Sequence, residues 1–130
     1  MSVRCLDSTF LIDLLKGDEA AAGKMREIEA LGEGVSVPAP CLAEVLLGAH
    51  FKGGDLLRDT LDVVARLDVL EVDAAVAGEA GRLGAELLRR GEGLPTTDLL
   101  IAACARLGGQ VLVTRDTDFA RIPGLAVEGY

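Results

Sequence analysis

Four acidic residues stand where their carboxylates can do chemistry together: Asp7, Glu44, Asp98 and Asp116. Asp7 directly follows a short apolar run, and Asp116 stands three residues after another such run. Glu44 and Asp98 lie near the starts of two segments of helical period. In an open parallel sheet, ligands bind outside the carboxyl ends of the strands. Because the Asp98 helix must run antiparallel to the strand that it feeds, its start lies at that same edge, and we expect all four acids to converge there.

Carboxylates that converge need a compensating charge. Two of them ~4 Å apart repel by about 4 kcal/mol at an effective dielectric near 20. A Mg²⁺ or Mn²⁺ ion removes this penalty, since hard cations take carboxylate oxygens and keep waters that a substrate phosphate can replace. A bound ion also lowers the pKa of its water and stabilises charge in the transition state. The pattern therefore predicts hydrolysis of a phosphodiester.

Each acid also has a purely structural interpretation. The helix macrodipole favours Glu44 and Asp98 near helix starts by about 0.3 to 1 kcal/mol. Asp7 can begin a turn, and Asp116 can cap the short segment at Phe119. Four independent caps would not need to share one edge of the sheet, and this coincidence favours the functional interpretation.

The elements that must position these acids alternate as short strands and longer helices, which is typical of βαβ units. The predicted strands are short apolar runs bounded by Gly, Pro, Asp or Thr: Val3 to Leu6, Val35 to Val37, Leu70 to Val72, Val111 to Val113 and Ala126 to Glu128. The predicted helices have a helical apolar period: Thr9 to Leu15, Asp18 to Leu31, Pro40 to Phe51, Asp55 to Leu67, Ala74 to Arg90 and Thr97 to Leu107. Expected N-terminal caps are Asp18, Asp73 and the hydroxyls of Thr96 and Thr97.

Composition bounds the class of protein. A chain of 130 residues predicts a single domain, residues 1–130. With a net charge of −8, the chain lacks the basic surface of most nonspecific nucleic-acid binders. A bound metal must therefore supply positive charge near any polyanion. The cysteines Cys5, Cys41 and Cys104 match neither a disulfide framework nor a zinc site, and we expect buried thiols. No secretion signal or membrane-spanning run is evident, which predicts a cytoplasmic protein without membrane contact.

With these positions in hand, the chain resembles the PIN-domain ribonucleases, and within them the VapC toxins of toxin-antitoxin pairs. The resemblance runs from Val3 to about Val127. Its carriers are three segments: LDSTFLIDLL from Leu6, PAPCLAEVLLGA from Pro38, and TTDLLIAACARLGGQVLVTRDTDFARIPGL from Thr96. It implies a three-layer α/β/α fold with a parallel five-stranded sheet in the order 3-2-1-4-5.

Carried over by position, the resemblance implies a catalytic acidic cluster of Asp7, Glu44, Asp98 and Asp116 that binds one or two Mg²⁺ or Mn²⁺ ions. Asp7, Asp98 and Asp116 are the implied metal ligands, while Glu44 would coordinate directly or through water and help to orient the attacking water. Thr114 resembles the family's hydroxyl beside the fourth acid and is an expected substrate contact. Arg115 is a candidate phosphate contact, and its alternative interpretation is a solvated turn residue. Asp118 competes with Asp116 for the fourth acidic position, and we favour Asp116 because it lies closer to the strand end.

The resemblance also implies an activity and partners. The activity is metal-dependent hydrolysis of RNA, by in-line attack of a metal-activated water on phosphorus. The partners are a second copy of the chain, in a homodimer, and a VapB-like antitoxin that lays apolar residues in a groove of the toxin. Candidate apolar contacts for the antitoxin are Phe10, Leu11, Leu14 and Leu15, although a place in the core is the default for such residues.

Other functions compete with this interpretation. A receiver-type phosphoacceptor domain also has acids at strand ends, but it needs paired acids after its first strand and a Lys after its fifth, which this chain lacks. A catalytically silent PIN-like interaction module would normally have lost an acid, and none is missing. A DNA substrate is not distinguished from RNA by any residue of the sequence.

Overall fold

Five short parallel strands form the sheet that places Asp7 at its centre. The computed structural model describes residues 2–130, apart from the side chain of Ser2. The strands are β1 (Ser2–Leu6), β2 (Gly34–Pro38), β3 (Asp68–Leu70), β4 (Val111–Val113) and β5 (Val127–Glu128). They pair in the order β3-β2-β1-β4-β5, and every pairing is parallel. The predicted strand order and three-layer α/β/α architecture are confirmed.

Six α-helices connect and cover the strands over residues 2–130. They are α1 (Ser8–Leu15), α2 (Glu19–Ala30), α3 (Ala39–Lys52), α4 (Gly54–Val64), α5 (Ala74–Arg89) and α6 (Thr96–Leu107). A 3₁₀ helix, Thr117–Arg121, follows β4. Within this described part of the chain, no helix is both long enough and apolar enough to cross a bilayer.

Most predicted boundaries lie within one or two residues of the structure, and two expectations are wrong. The third strand was expected at Leu70 to Val72, but Asp68–Leu70 is the segment that pairs with β2. The capping role expected of Thr96 and Thr97 is also wrong, because α6 begins at Thr96 and Pro95 precedes it without a side-chain hydrogen bond. The other predicted caps are confirmed: Asp18 and Asp73 each accept a hydrogen bond of 2.9 Å from the backbone N–H three residues on.

The core lies between the sheet and its helices and contains all three thiols as free cysteines. Burial raises the pKa of Cys5 to about 12 and that of Cys104 to about 11, and raises the pKa of Cys41 further, so the thiols stay protonated at neutral pH. Phe10 and Leu11 are fully buried in this core. The default expectation of a place in the core is confirmed for these two residues, and neither is a surface contact for an antitoxin.

A network of charged side chains ties the first and last strands together. Arg4 on β1 donates to Glu128 on β5 at 2.9 and 3.0 Å and to Glu33 at 2.8 Å. Lys24 of α2 lies 2.9 Å from the same Glu128 carboxylate. Hydrogen bonds from Arg4 and Lys24 lower the pKa of Glu128 to about 2. The carboxylate therefore stays ionised over the physiological pH range.

The glycines of α5 allow α6 to approach closely. Helix α5 carries three glycines at a spacing of three, Gly78, Gly81 and Gly84. A Cβ atom added at Gly84 would lie 2.7 Å from Cδ1 of Leu99 on α6. A Cβ added at Gly78 or Gly81 would meet nothing within 4 Å. Only Gly84 of the three is therefore required for the contact with α6, which is the helix that carries Asp98.

Candidate active site

Asp7 stands at the carboxyl end of the central strand. Its backbone N–H donates to the carbonyl of Val113 at 3.0 Å, so the residue continues the pairing of β1 with β4. It is only 2% exposed. A buried carboxylate is stable only when its oxygens are hydrogen-bonded. The surroundings of Asp7 meet that requirement.

Four side-chain donors surround the Asp7 carboxylate. Oδ2 accepts hydrogen bonds from Thr114 Oγ1 at 2.6 Å and from Thr9 Oγ1 at 3.0 Å. Oδ1 lies 3.4 Å from Cys41 Sγ and 3.5 Å from Ser8 Oγ, which are longer and weaker contacts. The donors come from α1, α3 and the end of β4, so they fix the orientation of the carboxylate against three elements.

Glu44 lies in the second turn of α3 and reaches the same region through Ser8. Its Oε1 is 3.3 Å from Ser8 Oγ, the hydroxyl that also faces Asp7. Partial burial raises the pKa of Glu44, the Ser8 hydrogen bond opposes this, and the negative charge of Asp7 raises the pKa again. The side chain remains largely exposed, so it can exchange protons with solvent.

Asp98, in the first turn of α6, is the group that reports the convergence of the acids. Burial raises its pKa first, and the charges of Asp116, Asp7, Glu44 and Asp118 raise it further, in that order of size. These acids come from four separate segments of the chain. Their joint effect on one carboxyl group means that the fold brings them into one electrostatic cluster.

The segment after β4 carries both candidates for the fourth acid. Asp116 caps the 3₁₀ helix, with its Oδ1 accepting from the backbone N–H of Asp118 at 2.9 Å. Its own N–H donates to Thr114 Oγ1 at 3.0 Å. Asp118 is exposed and lies 3.3 Å from Arg121. Asp116 is thus tied to the hydroxyl that holds Asp7, whereas Asp118 points to a surface ion pair.

The two expected substrate contacts are placed very differently. Thr114 is 2% exposed, and its hydroxyl is used by Asp7 and by the N–H of Asp116. Arg115 carries a side chain that is 61% exposed, and its Nη1 lies 3.2 Å from Asp13 Oδ2. The arginine therefore faces solvent at the edge of the site, while the threonine holds acids in place.

Several residues around the acids were missed by sequence reasoning. Thr9 and Cys41 both contact Asp7. Asp13 pairs with Arg115 and accepts a hydrogen bond from Tyr130. The two hydroxyls that follow Asp7 in the sequence were a usable signal, because such residues at a strand-to-helix junction readily bond a nearby carboxylate. Nothing local marks Cys41 or Tyr130.

The chemistry of this cluster fits a hard divalent cation. As the side chains of residues 2–130 are placed, no group of three or more Asp, Glu, His or Cys residues could hold a metal ion. Mg²⁺ needs fewer, because it is commonly bound by one or two carboxylates together with waters and substrate phosphate. The donors are carboxylates alone, and the raised pKa of Asp98 agrees with a repulsion that a cation would relieve. Asp7, Asp98 and Asp116 are the candidate ligands for such an ion.

Comparison with known proteins agrees with this geometry. A family model described as PIN domain matches residues 4–125. The chain is 34% identical over 131 residues to the tRNA(fMet)-specific endonuclease VapC of Shigella flexneri, with 96% of each chain covered. The chain belongs to the VapC-type PIN-domain family. The endonuclease name of this relative supports a nuclease activity for the PIN domain described above.

Solved structures of VapBC complexes share the fold of this PIN domain. VapBC2 from Rickettsia felis, bound to a promoter DNA fragment, matches with a TM-score of 0.83 and 26% identity, covering 98% of both chains. DNA-bound VapBC from Salmonella typhimurium matches with a TM-score of 0.81 and 29% identity, covering 99% of this chain and 98% of the other. The predicted PIN-like fold and VapC kinship are confirmed.

Proposed function

We propose that this chain is a Mg²⁺- or Mn²⁺-dependent endoribonuclease and the toxin of a toxin-antitoxin pair, acting as a single PIN domain over residues 1–130. The observation that carries the proposal is the geometry of the acids at one edge of the sheet: Ser8 lies between Asp7 and Glu44, and Thr114 bonds both Asp7 and the N–H of Asp116. The raised pKa of Asp98, caused by burial and then by the charges of the four other acids, agrees with this arrangement. Carboxylates that repel one another at the carboxyl ends of the strands can together bind a cation, which in turn binds a phosphate.

The residues divide the work by their surroundings. Asp7, Asp98 and Asp116 would hold the metal, which when bound supplies a water of lowered pKa and positive charge against the phosphate. Thr9 and Thr114 keep Asp7 oriented. Asp116 is the better fourth acid, because its backbone N–H donates to Thr114, whereas Asp118 pairs with Arg121.

Glu44 and Arg115 would act on the substrate side. The raised pKa of Glu44 makes this carboxylate a stronger base, which suits a group that orients the attacking water and accepts its proton. In-line attack on phosphorus then breaks the bond to the leaving oxygen of the RNA. Arg115 is exposed at the rim and would donate to a phosphate oxygen.

The relative from Shigella flexneri is named for cleavage of tRNA(fMet), which makes initiator tRNA the first substrate to test. The experiment incubates purified antitoxin-free protein with initiator tRNA, other tRNAs and single-stranded RNA, with Mg²⁺ or Mn²⁺ and with EDTA. Matched variants are Asp98→Asn and Asp62→Asn, the second at an exposed acid of α4. Cleavage that disappears with EDTA and with Asp98→Asn, but survives Asp62→Asn, supports the proposal. Cleavage that persists with EDTA and with Asp98→Asn would contradict it.

The groove beside Glu44 is the proposed seat of a VapB-like antitoxin. It has a volume of about 450 Å³ and is lined mostly by apolar residues of α1, α3 and α4, with Lys16, Lys52, Glu44 and Thr60 also in the lining. Leu15 reaches this groove, whereas Leu14 lines a different cleft. Because Glu44 forms one side of the groove, a segment bound there would obstruct the acidic cluster. A VapB-like partner is supported by the solved structures with the same fold, whose names are VapBC.

A matched pair of variants tests the position of the antitoxin. Gly48→Arg places a bulky charge at an exposed position of α3 in the groove, while Gly81→Arg makes the same change at an exposed position of α5, in the cleft between α5 and α6. A Cβ atom at either glycine meets nothing within 4 Å, so both variants should fold. We expect the antitoxin to fail to inhibit Gly48→Arg while still inhibiting Gly81→Arg. Equal inhibition of both variants, with both cleaving RNA when free, would place the antitoxin elsewhere.

The homodimer remains a prediction, and the α5–α6 cleft offers a candidate face for it. Leu88 is 71% exposed there, beside Gly81 and Ala85. Light scattering after size exclusion would give twice the monomer mass for the wild type and a monomer for Leu88→Glu if this face is used. A receiver-type domain is no longer an alternative, since the chain matches the PIN family over residues 4–125.

A further inference from the structure

A buried aspartate outside the acidic cluster joins two distant parts of the chain. Asp13 lies on α1 and is 7% exposed. Its Oδ2 accepts a hydrogen bond from the Tyr130 hydroxyl at 2.6 Å and lies 3.2 Å from Nη1 of Arg115. One carboxylate oxygen thus contacts a residue beyond β5 and the second residue after β4.

The tyrosine of this group is a fixed donor. Its ring packs edge-on against Phe10, with the ring centroids 4.9 Å apart and the planes at 78°. Burial and the hydrogen bond to Asp13 raise the pKa of Tyr130 to about 12, against a smaller opposing effect of a hydrogen bond with Thr9. The hydroxyl therefore keeps its proton at neutral pH and holds Asp13 in one orientation.

Thr9 connects this group to the acidic cluster. It lies one helical turn before Asp13 on α1, so both side chains share a face of the helix. Thr9 Oγ1 donates to Asp7 and lies 3.5 Å from the backbone N–H of Arg115. Thr9 therefore holds the backbone of Arg115 beside Asp7, and Asp13 holds its guanidinium. Thr9 and Asp13 are one turn of α1 apart, a rise of about 5.4 Å.

We propose that Asp13 and Tyr130 are positioning residues that hold the Arg115 guanidinium at the rim as a contact for a non-scissile phosphate of the RNA. This inference rests on the proposed ribonuclease function. An arginine offers five N–H donors, and the ion pair with Asp13 engages one nitrogen, Nη1. With 61% of the side chain exposed, the remaining donors face solvent, where a phosphate can reach them. In a chain of net charge −8, a cation fixed beside the acids reduces the repulsion that the RNA meets.

Steady-state cleavage kinetics test the positioning role. Arg115→Gln should raise KM about 10-fold with kcat within about 2-fold, as for loss of one charged hydrogen bond to a group distant from the reacting bond. Asp13→Asn and Tyr130→Phe keep their shapes and should each raise KM several-fold. The control is Arg58→Gln, which removes an equal charge from the exposed Arg58–Asp55 pair at 2.8 Å on α4 and should leave KM unchanged.

A double-mutant cycle separates positioning from general support of the fold. If Asp13 acts through Arg115, Asp13→Asn should raise KM in the wild type and leave KM unchanged when Arg115→Gln is already present. A KM for the double variant that is raised by the product of the two single-variant factors would overturn the inference. So would a lowered melting temperature for Asp13→Asn and Tyr130→Phe with wild-type KM, since that result describes a purely structural contact.

RNA binding gives a second readout that does not depend on cleavage. In an Asp98→Asn background, the slope of log affinity against log salt should become shallower by about 0.7 with Arg115→Gln, the value for one phosphate contact on a single strand. Arg58→Gln should leave the slope unchanged. If the wild type cuts no RNA, the proposed function fails, and the salt slope still decides the role of Arg115: an unchanged slope with Arg115→Gln would overturn the inference.

Discussion

Replacement of Thr114 by valine tests how strongly the fold depends on the donors around Asp7. The change keeps the size and the branched shape of the side chain and removes one hydroxyl. That hydroxyl donates to Asp7 Oδ2 at 2.6 Å and accepts from the N–H of Asp116 at 3.0 Å. Asp7 is 2% exposed, so no water can easily replace the lost donor.

The expected cost follows from these two bonds. A buried hydrogen bond to a charged group contributes about 1.5 to 3 kcal/mol, and a neutral one to a backbone N–H about 1 kcal/mol. We therefore expect Thr114→Val to lower the free energy of unfolding by about 3 kcal/mol. For a chain of this length, that corresponds to a melting temperature about 10 °C lower.

Thr60→Val is the matched control. Thr60 is also fully buried, but its hydroxyl donates at 2.7 Å to the carbonyl of Leu56, one turn earlier in α4. No charge depends on it, and we expect a loss of only about 1 kcal/mol. Urea unfolding, compared at equal slopes, measures both variants. A loss for Thr114→Val no larger than that for Thr60→Val would refute the argument that Thr114 compensates the buried Asp7 charge.

Three further changes have defined outcomes. The folded pKa of Glu128, about 2, lies below its ordinary value of 4.5, so its stabilisation is present above pH 4.5 and is lost as the pH falls towards 2. After allowance for solvent screening, Glu128→Gln should cost about 2 kcal/mol at pH 7 and nothing near pH 2 in denaturant titrations. Gly78→Ala should stabilise the protein by about 0.5 to 1 kcal/mol, since a Cβ atom there meets open space. Gly84→Ala should bring no such gain, because its Cβ atom would lie 2.7 Å from the side chain of Leu99 on α6. Asp98→Asn should raise the melting temperature of metal-free protein by removing a partly buried, repelled charge, and should abolish the stabilisation that Mg²⁺ gives to the wild type, while Asp62→Asn does neither.

The central strands could be predicted from sequence because their signals are local and strong. The apolar runs before Asp7 and Thr114 are buried, and each ends where the chain turns into polar residues. The edge strand β3 could not be located in this way. Val69 within it is 42% exposed and Val72 beyond it 40% exposed, so burial does not distinguish the paired residues from those that follow.

The placement of the acids near one another could likewise be expected, because the ends of parallel strands share one edge and Asp98 opens a helix at that edge. Their roles in catalysis and metal binding stay predictions. The contacts that hold the cluster could not be predicted. Cys41 lies 34 positions from Asp7, and Tyr130 lies 117 positions from Asp13. Their pairing depends on how α1 packs against α3 and on where the chain runs after β5, and no periodicity or spacing encodes these tertiary relations.

The most direct test of the proposed site is the binding of Mn²⁺ to the metal-free protein, followed by electron paramagnetic resonance. Wild type, Asp98→Asn and Asp62→Asn are titrated under the same conditions. We predict saturable binding by wild type and by Asp62→Asn, and binding at least about 10-fold weaker by Asp98→Asn, since one ligand and one neutralised charge are lost. Equal binding by all three proteins, or no binding by the wild type, would contradict the claim that Asp7, Asp98 and Asp116 form one cation site.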